Sequence, residues 1–103
     1  MEKQLTPPDV VTAKTFRLKD ENGLTRALLT TLDNGRPTLL LFDDKGQSRM
    51  EIGLQSNGAP KFVLNCEDDI TLVIEVSEHQ QPVLQIMRNG IPAAFQLKHL
   101  KTA

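Results

Sequence analysis

The sequence predicts an all-β chain, built as about eight short antiparallel strands in an up-and-down meander that forms a small barrel or a sandwich. Three observations predict it. Apolar and polar residues alternate over several short stretches, glycine, asparagine and proline punctuate the chain at short intervals, and no segment carries a helical stripe. Met50, Ile52 and Leu54 alternate with Glu51, Gly53 and Gln55, and Ile70, Leu72, Ile74 and Val76 alternate with Thr71, Val73, Glu75 and Ser77. Alternation of this kind places one set of side chains on a single face of a pleated strand.

The elements follow in order. Residues 1–12 read as a flexible arm, and residues 13–103 as one β-repeat domain. Strands are expected near residues 14–19, 25–32, 37–42, 48–55, 61–65, 70–77, 82–88 and 91–97. Asp20-Glu21-Asn22-Gly23 separates the first pair and Asp33-Asn34-Gly35-Arg36 the second, because asparagine and glycine accept the positive φ that tight hairpins demand. Pro37, Pro60, Pro82 and Pro92 fall just after turns, at the first residues of the next strands, where a missing N–H is tolerated. Connections this short force antiparallel neighbours, since parallel pairing needs long crossovers.

A repeat runs beneath this pattern. Asp20, Gly23, Arg26, Asn34, Gly35 and Pro37 recur 23 residues later as Asp43, Gly46, Arg49, Asn57, Gly58 and Pro60. Average composition gives roughly one chance identity in such a window. Phe16 and Leu18 map by the same offset to Leu39 and Leu41, and these to Phe62 and Leu64. The third copy has decayed, since its turn is Cys66-Glu67-Asp68-Asp69, without glycine, and the next is His79-Gln80-Gln81-Pro82. A short β-solenoid with 23-residue repeats is the alternative architecture, because self-similarity at this period also marks solenoids.

The run from Ala13 to Ala27, with its Phe16-Arg17-Leu18-Lys19-Asp20 opening, is followed by Leu39-Leu40-Leu41-Phe42-Asp43-Asp44-Lys45-Gly46-Gln47-Ser48-Arg49. It resembles a repeat of uncharacterised bacterial β-repeat proteins, in which F-x-L-x-D-x-x-G-x-x-R-A alternates with G-x-P-x-L-x-L. The resemblance covers residues 10–64. It implies a bacterial or phage origin and a β-rich repeat, and it carries no activity, cofactor or catalytic residue with it.

Composition narrows the function classes. Twelve basic residues stand against 13 acidic ones over 103 residues, for a net charge of −1, and the cations are scattered. No basic footprint for a nucleic acid exists, and Lys98-His99-Leu100-Lys101 is too short to make one. The longest apolar run, Leu39-Leu40-Leu41-Phe42, is far short of the roughly 20 residues of a membrane-spanning helix. The first residues show no apolar signal core, and the single cysteine excludes an intrachain disulfide, so the expected setting is the cytoplasm.

Candidate sites are few. Arg26 and Arg49 occupy equivalent positions on strands two apart, which predicts one shared face and would permit an anion-binding ladder. The plainer alternative is that each arginine pairs with its own turn carboxylate, Asp20 or Asp43, since arginine suits bidentate contact with carboxylates. The acidic turns at 20–22, 43–44 and 67–69 supply hard oxygen ligands but not the spacing of a calcium loop. His79, His99 and Cys66 belong to no recognisable catalytic arrangement, and Cys66 reads as a bystander thiol. No catalytic residue, metal ligand or cofactor is assigned.

These features point to a non-enzymatic binding or assembly module that self-associates into a homo-oligomer, because a short meander has two edges and an apolar face that about 100 residues scarcely cover. A small-molecule carrier with a closed barrel is the second expectation, and it requires inward residues too small to fill the interior. A small enzyme of unknown class is the third.

Overall fold

A computed structural model describes residues 9–77 and 79–92. Eight strands form one antiparallel sheet whose spatial order is the sequence order. They are β1 (Phe16–Lys19), β2 (Thr25–Leu32), β3 (Arg36–Phe42), β4 (Ser48–Leu54), β5 (Pro60–Asn65), β6 (Ile70–Val76), β7 (Pro82–Arg88) and β8 (Ile91–Pro92). The expected meander is present, every strand pairs with its sequence neighbour, and the solenoid alternative does not apply to this sheet. Among the described residues β1 pairs only with β2 and β8 only with β7, so the sheet stays open rather than closing on itself. The expected arm is described only over residues 9–12, which are exposed and outside the strands. The last expected strand is described only as far as Pro92.

Turn chemistry sets this topology. In the turn after β1, the Asp20 N–H donates to the Leu24 carbonyl and the Gly23 N–H to the Asp20 carbonyl, closing a three-residue loop. The same closure recurs over Asp43–Gln47, Gln55–Ala59 and Ser77–Gln81. Gly23, Gly46 and Gly58 sit at φ 81°, 82° and 87°, the left-handed position that such loops require. The β3/β4 pairing slips by one residue between Leu41 and Phe42, as a bulge beside this loop type does. Two of the turns lack glycine: at Ser77–Gln81 the left-handed residue is Gln80 (φ 61°), and the Cys66 turn keeps the same span, with Cys66 N–H donating to the Ile70 carbonyl. There Asp68 and Asp69 take φ 62° and 58°, a conformation that aspartate tolerates better than most residues.

Register decides what each face presents. A row of partners crosses seven strands through Phe16, Leu29, Leu39, Ile52, Phe62, Ile74 and Leu84. A parallel row runs through Leu18, Ala27, Leu41, Met50, Leu64, Leu72 and Ile86. Neither row contains a polar side chain. On the opposite face one row passes through Arg17, Leu28, Leu40, Glu51, Val63, Val73 and Gln85, and the next pairs Lys61 with Glu75.

Little of the chain is buried. Among the described residues only Thr38, Ala59 and Val73 count as buried, and no large side chain is fully enclosed. Thr38 and Val73 both lie on the mixed face. Thr38 packs over Gly53, its cross-strand partner, where an added Cβ would stand 2.8 Å from the Pro37 carbonyl oxygen and 2.9 Å from Thr38 Oγ1. That glycine admits a close approach of two strands. The radius of gyration is 18.2 Å, against roughly 13 Å for a compact domain of about 100 residues. The described residues form one layer where domains normally have two.

Candidate functional site

Two features stand out on this sheet. The first is the turn end that carries the arginines. Arg26 lies on β2 and Arg49 on β4, with β3 between them, each at the residue that a register slip leaves without a cross-strand partner. The guanidinium of Arg26 donates from Nη1 to Asp20 Oδ2 at 3.4 Å and from Nε to the Phe42 carbonyl at 3.1 Å. Arg49 donates from Nε to Asp43 Oδ2 at 2.8 Å and from Nη1 to the Asn65 carbonyl at 3.2 Å. Each arginine thus ties its own turn to the neighbouring strand 16 residues on.

The carboxylates are committed in the same way. Asp20 Oδ1 accepts the N–H groups of Asn22 and Leu24, and Asp43 Oδ1 accepts those of Lys45 and Gln47. These bonds, first among them the one from the Leu24 N–H, hold the Asp20 carboxyl below its ordinary value, and the arginine adds to the effect. Asp43 is lowered likewise, chiefly by the Gln47 N–H. Ser77 plays the aspartate's part at its own turn, where Oγ accepts from the N–H groups of His79 and Gln81. The arrangement is that of braced hairpins, with each arginine already occupied by a carboxylate and a carbonyl.

Asn65 is a member of this bracing that residue-type reasoning passed over. Its Nδ2 donates to the Ser48 carbonyl at 2.9 Å, and its Oδ1 accepts from Thr71 Oγ1 at 3.4 Å. It links β4, β5 and β6. The signal was available, since Asn65 stands 23 residues after Phe42 just as Arg49 stands 23 after Arg26.

The other expected candidates do not converge. Cys66 is exposed at its turn, His79 is exposed at the opposite end of the sheet, and His99 lies outside the described residues. Among the described residues no three histidine, cysteine, aspartate or glutamate side chains gather to hold a metal ion. No helix is long and apolar enough to cross a membrane among them.

The second feature is the apolar face. In its central row Phe16, Leu29, Ile52, Ile74 and Leu84 are 37–48% exposed, and Leu18 in the next row is 62% exposed. Monomeric soluble proteins rarely leave an apolar patch of several hundred Å² uncovered. Shallow depressions mark it. One of about 270 Å³ lies between Ile52, Phe62, Ile74, Pro60 and Pro82, and another of about 250 Å³ lies beside Phe16, Leu18 and Leu29 near the β1 edge. Both are open grooves between side chains of a sheet surface.

Comparison of the chain with family models, with curated proteins and with solved structures returned no match in any of the three.

Proposed function

We propose that the chain is a non-enzymatic binding and assembly module that acts by associating with itself. A single observation carries this reading: two complete rows of apolar side chains cross seven strands of one sheet, and no other layer of the described chain lies over them. Burial of such a face is the dominant favourable term in association. The arginines, the most conspicuous polar groups, are engaged in bracing their own hairpins, which favours a structural role for them over recognition of an acidic ligand.

The carrier reading rests on closure of the sheet around a ligand, and the described strands leave the sheet open. Size-exclusion chromatography with light scattering, beside native mass spectrometry of freshly purified protein, tests both. A discrete multimer without extra mass is the expected result. A monomer at micromolar concentration would overturn the assembly reading, and a monomer with the added mass of a bound small molecule would replace it with the carrier.

A further inference from the structure

We infer that the self-association proposed above, on which this inference rests, is an isologous packing of two copies through their apolar faces, giving a two-layer sandwich with Ile52 near the two-fold axis. The partner is a second copy of this chain. Area is the first argument. Seven strands spaced about 4.8 Å apart, crossed by the two apolar rows and by a third through Thr31, Pro37, Leu54, Pro60, Val76 and Pro82, with rows about 7 Å apart along each strand, present roughly 700 Å² per copy. A standard stable interface buries about 800 Å² per partner. The face is the size that a stable dimer needs.

Charge selects this face over the other. The two apolar rows carry no ionisable group, and the charge next to them on that face, Arg88 beside Ile86, sits exposed at the β7 rim where it stays in water, so two copies meet without stranding an unpaired ion between the rows. Stacked on itself, the opposite face would bring Arg17, Glu51, Lys61 and Glu75 into an interior. Its cost would be desolvation of groups that water now serves.

The edges argue against growth by strand addition. β1 is four residues long and carries Arg17 and Lys19, and the described part of β8 carries Pro92, which lacks an N–H. Short, charged and proline-bearing edges are how sheets discourage edge pairing. β7 has Pro82, which lacks an N–H, at one end and is covered by β8 at the other, through Met87 and Arg88. The free surface suited to a partner is therefore the face.

The row itself suits a two-fold. Ile52 is the middle of its seven members, so an axis at Ile52 running along β4 places β1 of each copy over β7 of the other and Leu29 opposite Ile74. Sheets packed in this way lie about 10 Å apart with their strands roughly 30° askew.

The test uses the full chain. Ile52→Glu and Ile74→Glu, checked for folding by circular dichroism, are expected to halve the mass seen by light scattering, while Lys19→Glu at the β1 edge leaves it unchanged. Because a glutamate on a sheet face could impair folding, a second measurement avoids it. In a Cys66→Ser background, Ile52→Cys is expected to cross-link to dimer with a short bis-maleimide, since a face-to-face separation of about 10 Å is too wide for a disulfide. Gln85→Cys, on the opposite face, is expected to remain monomeric under the same treatment. A multimer that survives both glutamate variants, or that cross-links through position 85 and not 52, overturns the face-to-face packing while self-association stands. A trimer does the same. A wild-type monomer overturns both.

Discussion

At the scale of single residues, the two glycine environments separate backbone strain from steric exclusion. Gly46 sits at φ 82° with nothing within 4 Å of an added Cβ, so Gly46→Ala meets only the left-handed backbone penalty, about 1 kcal/mol. Gly53 has the opposite problem. An added Cβ would lie 2.8 Å from a backbone oxygen, so Gly53→Ala forces two strands apart and is expected to cost about 2 kcal/mol or more. Urea unfolding of the two variants checks the order, and equal losses would mean that the close approach at Thr38 carries no weight. Arg49→Ala is expected to lower the melting temperature by roughly 2–4 °C, and Arg26→Ala by less, because the Arg49 pair is at 2.8 Å and the Arg26 pair at 3.4 Å.

The turn carboxylates add a pH dependence of definite sign. Asp20 and Asp43 are held below the ordinary value of 3.8 in the folded chain, chiefly by the Leu24 and Gln47 N–H groups. A carboxyl lowered on folding stabilises the fold while it is charged, so the contribution is complete above about pH 5 and is lost as pH falls through the folded value. Asp20→Asn combined with Asp43→Asn keeps the Oδ1 acceptors and removes the charge. Thermal melts from pH 6 down to pH 3 should therefore fall less steeply for the double variant than for the wild type, and parallel curves would refute the assignment.

At the scale of elements, the strands were legible because period and punctuation agree. The alternation of Met50, Ile52 and Leu54 fixed a face, and each glycine or asparagine turn fixed where the next strand began. Boundaries shifted by a residue or two: β1 begins at Phe16 rather than 14, and β5 begins at Pro60 rather than 61. The decayed turn at Cys66 shows why loss of glycine did not mean loss of the hairpin, since Asp68 and Asp69 adopt the left-handed conformation in its place. The pairing of Arg26 with Asp20 and Arg49 with Asp43 was also readable, as the plainer of two alternatives. What could not be read was the third dimension. Thr38 is buried because Gly53 lets its strand approach, and neither residue has a sequence signature for that contact. Nor does alternation say whether an apolar face is covered by the same chain, since the pattern of Phe16, Leu29 and Leu39 is the same for a barrel, a sandwich or an open sheet.

At the scale of the whole molecule, one sheet with three buried residues among those described would couple folding to the association proposed above. A single layer this small gains little from burial alone, and a partner that binds only the folded state stabilises it by mass action. The melting temperature should therefore rise with protein concentration, by several degrees over a hundredfold range. A concentration-independent transition would mean that the isolated sheet is stable by itself.

Small-angle X-ray scattering from the wild-type chain at micromolar concentration reads mass and shape together. Two copies packed face to face predict a mass of about 23 kDa, twice the chain's 11.5 kDa, and a two-layer body with sheets about 10 Å apart. A mass of one chain, with the 18.2 Å radius of gyration of the open sheet, would contradict the account.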